Sequence, residues 1–157
     1  MNEIVVPSLR FAFEAKVDIA PTVHVGHAGA AALGFTPITG GTVTGPRLNG
    51  TVVSGGGDWA VARDGVSVDL DARYLIRADD GAHIDVVNRG FWVASAEVDA
   101  AAEAGERVDP SRYYFRTQPV FRTGAEPHVW MTHTVFVGNA FDDADENQIR
   151  IQFFEVL

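Results

Sequence analysis

The residues able to do chemistry are a few acids and arginines set among aromatic rings at strand-like spacing. Asp58-Trp59 directly follows the triplet Gly55-Gly56-Gly57. A carboxylate there can act as a general base, and the indole can wall an aromatic ligand. The competing reading is a turn-capping acid beside a core tryptophan. In Val66–Arg77, Asp69, Asp71, Arg73 and Arg77 share one face, while Val68, Leu70, Ala72, Tyr74 and Ile76 share the other. Either the charged set forms surface cross-strand pairs, or Asp71 and Arg73 stand at a cavity as base and cation, strengthened there by burial. Arg116 shares a face with Tyr114 and Gln118, so it is either a binder of an anion or carbonyl or a solvated arginine. Trp130 is expected on one face of a strand over His128–Gly138, with His133 on the other.

Other chemistries find little support. His24 and His27 are too widely spaced for one strand face, and His128 and His133 fall on opposite faces. No third ligand lies at a suitable distance and cysteine is absent, so no metal is expected. No nucleophile elbow supports a Ser–His–Asp triad. The glycines between Gly40 and Gly57 precede DWAVAR and Asp-Gly rather than a helix, so they read as turns and bends between short strands, not a phosphate cradle. In GHAGAAALG the glycines at 26, 29 and 34 have the wrong spacing for a dinucleotide fingerprint.

Positioning these groups falls to strands. Leu9–Ile19 alternates apolar and polar residues, the period-two pattern of a strand with one buried face. Strand-like runs follow at Thr51–Ser54, Asp58–Arg63, Val66–Arg77, His83–Val93, Tyr113–Arg122, His128–Gly138 and Gln148–Val156. Asp64-Gly65 is a two-residue hairpin signal, because both positions of that turn favour positive φ. Ser95–Gly105, rich in Ala and Glu and closed by Gly, predicts the one short helix. An all-β domain over residues 1–157 follows, either a sandwich or a closed antiparallel barrel. The length of Val66–Arg77 favours the barrel, where strands are tilted and curved.

Composition narrows the partners. The 157 residues carry a net charge of −9 and scattered basic residues, which disfavours nucleic acid and anionic membranes. No apolar run reaches the ~18 residues of a membrane span, and the first residues lack the basic flank and apolar core of a signal peptide. The absence of cysteine fits a reducing compartment, so a cytoplasmic setting is expected.

Three segments in this order, GGTVTGPRLNGTVVSGGGDWAVARDG, LDARYLIRADDGAHI and DPSRYYFRTQPVFRTG, followed by Trp130, resemble the family catalogued as domain of unknown function three-two-three-seven. The resemblance runs from about Gly40 to the C-terminus. It implies a lipocalin-like barrel with a cavity that often self-associates, so a homodimer or other homo-oligomer is expected. It also implies ring-forming or bond-cleaving steps on aromatic or polyketide-like compounds without a cofactor. The family-like residues are Asp58, Trp59, Asp71, Arg73, Tyr74, Tyr114, Arg116 and Trp130. Two departures stand out: the segment leading into Gly40, within ALGFTPITGG, lacks an expected basic residue, and Met131-Thr132-His133 replaces an asparagine-containing run. Together these point to a cofactor-free lyase or intramolecular cyclase or isomerase. Asp58 or Asp71 moves a proton, Arg73 and Arg116 stabilise developing negative charge, and Trp59, Tyr74, Tyr114, Trp130 and His133 hold a small apolar or aromatic molecule. The alternatives are a carrier or sensor with the same cavity, and an interaction module with the cavity filled.

Overall fold

A computed structural model describes the backbone of residues 1–157 and every side chain except that of Asp145. Nine strands form one antiparallel sheet: β1 (Leu9–Ile19), β2 (Val23–Ala28), β3 (Ala31–Thr44), β4 (Gly50–Ala62), β5 (Ser67–Ala78), β6 (His83–Ala94), β7 (Tyr113–Arg122), β8 (Phe136–Asp143) and β9 (Gln148–Val156). Their spatial order is β1-β9-β8-β7-β6-β5-β4-β3-β2, and a further pairing of β1 with β3 closes eight of them into a barrel. β2 is the extra strand. It pairs with the first half of β3, whose second half turns to β1.

The glycine-rich stretch makes that closure possible. It does not separate short strands, as the sequence suggests; it bends two long ones. The β4–β5 register slips between Val53 and Gly57, where Gly55 has φ +118°. On β3, Gly41 has φ +144°, and a Cβ there would run into the carbonyl of Lys16 on β1. A side chain at that point would hold β1 and β3 apart, which is the seam of the barrel. The β4–β5 connection also differs from expectation. Only Gly65 has positive φ, and Asp64 instead folds the loop by accepting from the backbone N–H groups of Val66 and Ser67 at 3.1 and 2.8 Å.

An eight-stranded barrel is wide enough to be filled by side chains or to hold one small ligand. This one does both, at opposite ends. At the closed end Phe13, Phe121, Phe136 and Phe153 pack with ring centroids 4.9–6.5 Å apart. Glu155, 2 % exposed, seals that end by taking the Arg10 guanidinium through two hydrogen bonds of 3.1 Å and Arg47 at 3.3 Å. Arg47 lies 3.9 Å over the Trp130 ring.

Trp130 belongs to no strand. Glu126–His133 is a 3-10 helix that lays Met131 into the closed end, so the expectation of a strand beginning at His128 is incorrect. Pro127 fixes its first turn, and the Thr132 and Thr134 hydroxyls donate to the Val129 and Trp130 carbonyls at 2.8 and 2.7 Å. The anticipated helix does form, as α1 (Ala96–Glu103), with the Ser95 hydroxyl capping the Val98 N–H at 3.2 Å. It lies at the open end.

Candidate active site

Between the phenylalanine cluster and α1 the lumen holds a cavity of about 310 Å³, within the range of small-molecule sites. Its wall is apolar over most of its area, with Val68, Leu70, Trp92, Phe115 and Ile151 among the lining. A polar rung crosses it. Thr36, Asp58, Ala72 and Asn88 are cross-strand neighbours on β3, β4, β5 and β6, and all four reach the cavity. The β4 bulge sets this register. Val52 pairs with Ile76, so an unbulged β4 would bring Asp58 opposite Leu70; the slip places it opposite Ala72, whose small side chain leaves the carboxylate room.

Asp58 is the ionisable group of this rung. Burial pushes its pKa up from 3.8 to about 6, a hydrogen bond from the Asp71 backbone N–H opposes the rise, and the negative charge of Asp71 adds to it. That hydrogen bond, 2.9 Å to Oδ1, also fixes the carboxylate's orientation. Near neutral pH such an acid can both take and return a proton. Below it sits Tyr74, 4 % exposed, with no hydrogen-bond partner for its hydroxyl among the described residues. Burial and then the charge of Asp58 raise the Tyr74 pKa, so the phenol stays protonated and remains a donor.

Asn88 Oδ1 and Thr117 Oγ1 are likewise buried without partners among the described residues. Thr117 occupies space left by two glycines: a Cβ on Gly138 would meet its hydroxyl, and one on Gly90 would meet the Arg116 carbonyl. Buried polar atoms are satisfied in the great majority of cases, so three unpartnered ones on residues of a single cavity lining stand out. At the rim stand Asp99 and Glu103 from α1 and Asp142 from β8. Burial, then Glu103, raises the Asp99 pKa, and burial, then Asp143, raises that of Asp142. Among the described residues no group of three or more His, Cys, Asp or Glu is placed to hold a metal ion.

Of the residues anticipated from sequence, Asp58 and Tyr74 meet in the cavity and the others lie outside it. Neighbouring strand residues point to opposite faces, so Trp59 cannot accompany Asp58, nor Arg73 accompany Tyr74. Trp59 packs on Phe35 at 4.8 Å on the outer wall. Asp71 accepts from Arg89 at 3.2 Å and Arg73 approaches Asp85 at 3.5 Å; both are outer-face pairs, so the lumen placement of Asp71 and Arg73 is incorrect. Arg116 is exposed and donates to the Phe115 carbonyl at 3.0 Å, with the exposed Tyr114 ring 5.5 Å away. Trp130 seals the closed end, and His133 is exposed at the end of its 3-10 helix. The residues that join Asp58 and Tyr74 are Asn88, Thr117, Trp92 and Asp142. Their signal was available as a polar residue interrupting an apolar alternation, as Asn88 does among Ile84, Val86 and Trp92.

Fold and site together define a closed β-barrel with a ligand-sized, acid-bearing lumen. The chain belongs to the family described as protein of unknown function (DUF3237), which matches residues 7–156. It is 34 % identical over 148 residues to the UPF0311 protein RPA1785 of Rhodopseudomonas palustris, covering 94 % of this chain and 95 % of that one. The crystal structure of RPA1785 superposes with a TM-score of 0.91 over 99 % of this chain and 100 % of that one, at 31 % identity. A structure described as a beta-barrel like protein from Acinetobacter baumannii gives 0.84 at 30 % identity, with both chains covered in full. A fungal relative, the hydroalkoxylation enzyme phnH of Penicillium herquei, is 35 % identical over 78 residues, half of this chain and 52 % of that one.

Proposed function

We propose that the protein is a cofactor-free, acid–base enzyme that isomerises a small, largely apolar ring compound by closing or opening a carbon–oxygen bond inside the barrel. The observation that carries this reading is Asp58, a half-buried carboxylate with a pKa of about 6 on the wall of a largely apolar cavity. The name of the fungal relative suggests the direction: hydroalkoxylation adds an O–H across a C=C bond. In an intramolecular version Asp58 takes the hydroxyl proton, the oxygen bonds to one alkene carbon, and the proton returns to the other. An O–H and a π bond are lost, a C–O and a C–H bond are gained, and nothing else is consumed.

The remaining groups suit that step. The Tyr74 hydroxyl can donate to a carbonyl or developing oxyanion, the role that the sequence suggests for Arg73 and Arg116. Trp92 and Phe115 hold the ring and keep water away. The cysteine-free sequence fits action in the cytoplasm.

The test uses a panel of ortho-alkenyl phenols and naphthols, with products followed by chromatography and mass spectrometry. Turnover should give a product of unchanged mass, and Asp58→Asn should reduce kcat by roughly 10²–10⁴-fold, the usual span for removing a general acid–base group. Products of altered mass would end the isomerase reading. An Asp58→Asn protein with full turnover would take the acid–base role away from Asp58, and a parent protein that binds the panel without turning any of it over would leave the barrel as a carrier or sensor.

A further inference from the structure

The cavity is lined by four carboxylates, Asp58, Asp99, Glu103 and Asp142, and among the described residues by no lysine, arginine or histidine. We infer that the three rim acids form a charge filter, so that the barrel accepts its ligand as an uncharged, hydroxyl-bearing ring compound and turns away carboxylate and phosphate forms of the same skeleton. This rests on the acid–base reading above and names the substrate class for that site.

Two independent features agree. The first is the rim itself. α1 presents Asp99 and Glu103 from the same side of the helix, four residues apart, and β8 brings Asp142 to the same opening. Tyr113 accepts from the Asp142 backbone N–H at 3.1 Å, which leaves the Asp142 carboxylate uncompensated by that contact. Arg150, paired with Phe141 across β8 and β9, lies 3.6 Å from Glu14 and 4.5 Å over the Phe141 ring. An anion entering here meets like charge inside a low-dielectric wall, where repulsion is screened less than in water.

The second feature is the interior. Tyr74, Asn88 and Thr117, all in the cavity lining, are 4 %, 3 % and 5 % exposed, and each carries a polar atom without a partner among the described residues. All three are neutral. They can bond hydroxyl and carbonyl groups of a ligand, whereas a carboxylate or phosphate would be desolvated with no cation to replace its water. The burial of Asp58 argues in the same direction, since a second anion beside it would hold its proton more tightly and spoil it as a base.

Titration calorimetry at pH 7 and low salt with three probes of one skeleton, 2-naphthol, 2-naphthoate and 2-naphthylmethylammonium, decides the matter. The naphthol should bind at least tenfold tighter than the naphthoate. That gap should fall below threefold in Asp99→Asn/Glu103→Gln, more so with Asp142→Asn added, and should narrow in roughly 0.5 M salt as screening shortens. Equal binding of naphthol and naphthoate, or a gap untouched by the substitutions, would overturn the filter alone. An ammonium probe tenfold tighter than the naphthol would overturn it in favour of a cation site. Failure of all three to bind would remove both the filter and the reading beneath it. Full turnover in Asp58→Asn with the filter intact would remove only the catalytic reading.

Discussion

Asp58 should make the folded protein less stable as pH rises, and its removal should reverse that. Its carboxyl pKa rises from 3.8 in an exposed chain to about 6 in the barrel, chiefly through burial. For a group whose folded pKa is raised, the folded state binds the proton more tightly than the unfolded one. The penalty is therefore absent below about pH 3.8 and grows until pH passes about 6. The rise corresponds to roughly 3 kcal/mol against the charged form above that window. Asparagine keeps an oxygen for the Asp71 N–H, now 2.9 Å from Oδ1, while removing the charge. Asp58→Asn should thus be more stable than the parent by roughly 2–3 kcal/mol at pH 8, about 5–10 °C in Tm for a chain of this size, and the gain should shrink steadily as pH drops toward 4. Urea or thermal unfolding at pH 4.5, 6 and 8, followed by near-ultraviolet circular dichroism, reads this directly. A variant as stable as the parent at every pH, or destabilised most at pH 8, would refute the claim that the carboxylate is buried at a cost. A gain in stability joined to a loss of turnover is the trade expected of a functional group in an apolar pocket.

Two further outcomes test the two ends of the barrel. Tyr74→Phe deletes a hydroxyl that has no partner among the described residues, so unfolding free energy should stay within about 1 kcal/mol of the parent or rise, while naphthol binding by calorimetry weakens several-fold; a loss of several kcal/mol would mean the hydroxyl is structurally satisfied. Glu155→Ala strands Arg10 and Arg47 at the closed end and should cost about 2–3 kcal/mol in urea unfolding, with Arg47 losing its anchor over Trp130; a cost under about 0.5 kcal/mol would show the triad to be ornamental.

Most of the architecture was legible from local pattern. Leu9–Ile19, Val66–Arg77 and Gln148–Val156 each form close to the expected strand, because alternation over many residues reports one buried face. Helix α1 followed from its Ala- and Glu-rich composition and closing glycine, and the structure adds the Ser95 cap. The strands that escaped notice, β2 and β3, have other physics. β2 is exposed along its whole length, so it carries no alternation of burial, and β3 is broken by Pro37 and the glycines at 40 and 41. The run from His128 to His133 misled because a 3-10 helix that caps a barrel buries Met131 and half-buries Trp130, giving an apolar spacing that a short strand would also show.

The candidate site divides along a different line. Sequence alone settles that Asp58 and Trp59, or Arg73 and Tyr74, face opposite ways, since that is a property of extended backbone. It does not settle which member of each pair faces the lumen. That choice is made by the closure of β1 on β3, which turns one surface of the sheet into an interior and leaves the charged surface, Asp71 and Arg73 with it, in water. The gathering of Asp58, Asn88, Thr117 and Asp142 from four strands is likewise a matter of register, fixed by bulges and glycines far apart in the chain. Residue types make an acid available; only the rolled sheet removes it from water and so gives it a pKa suited to chemistry near neutral pH.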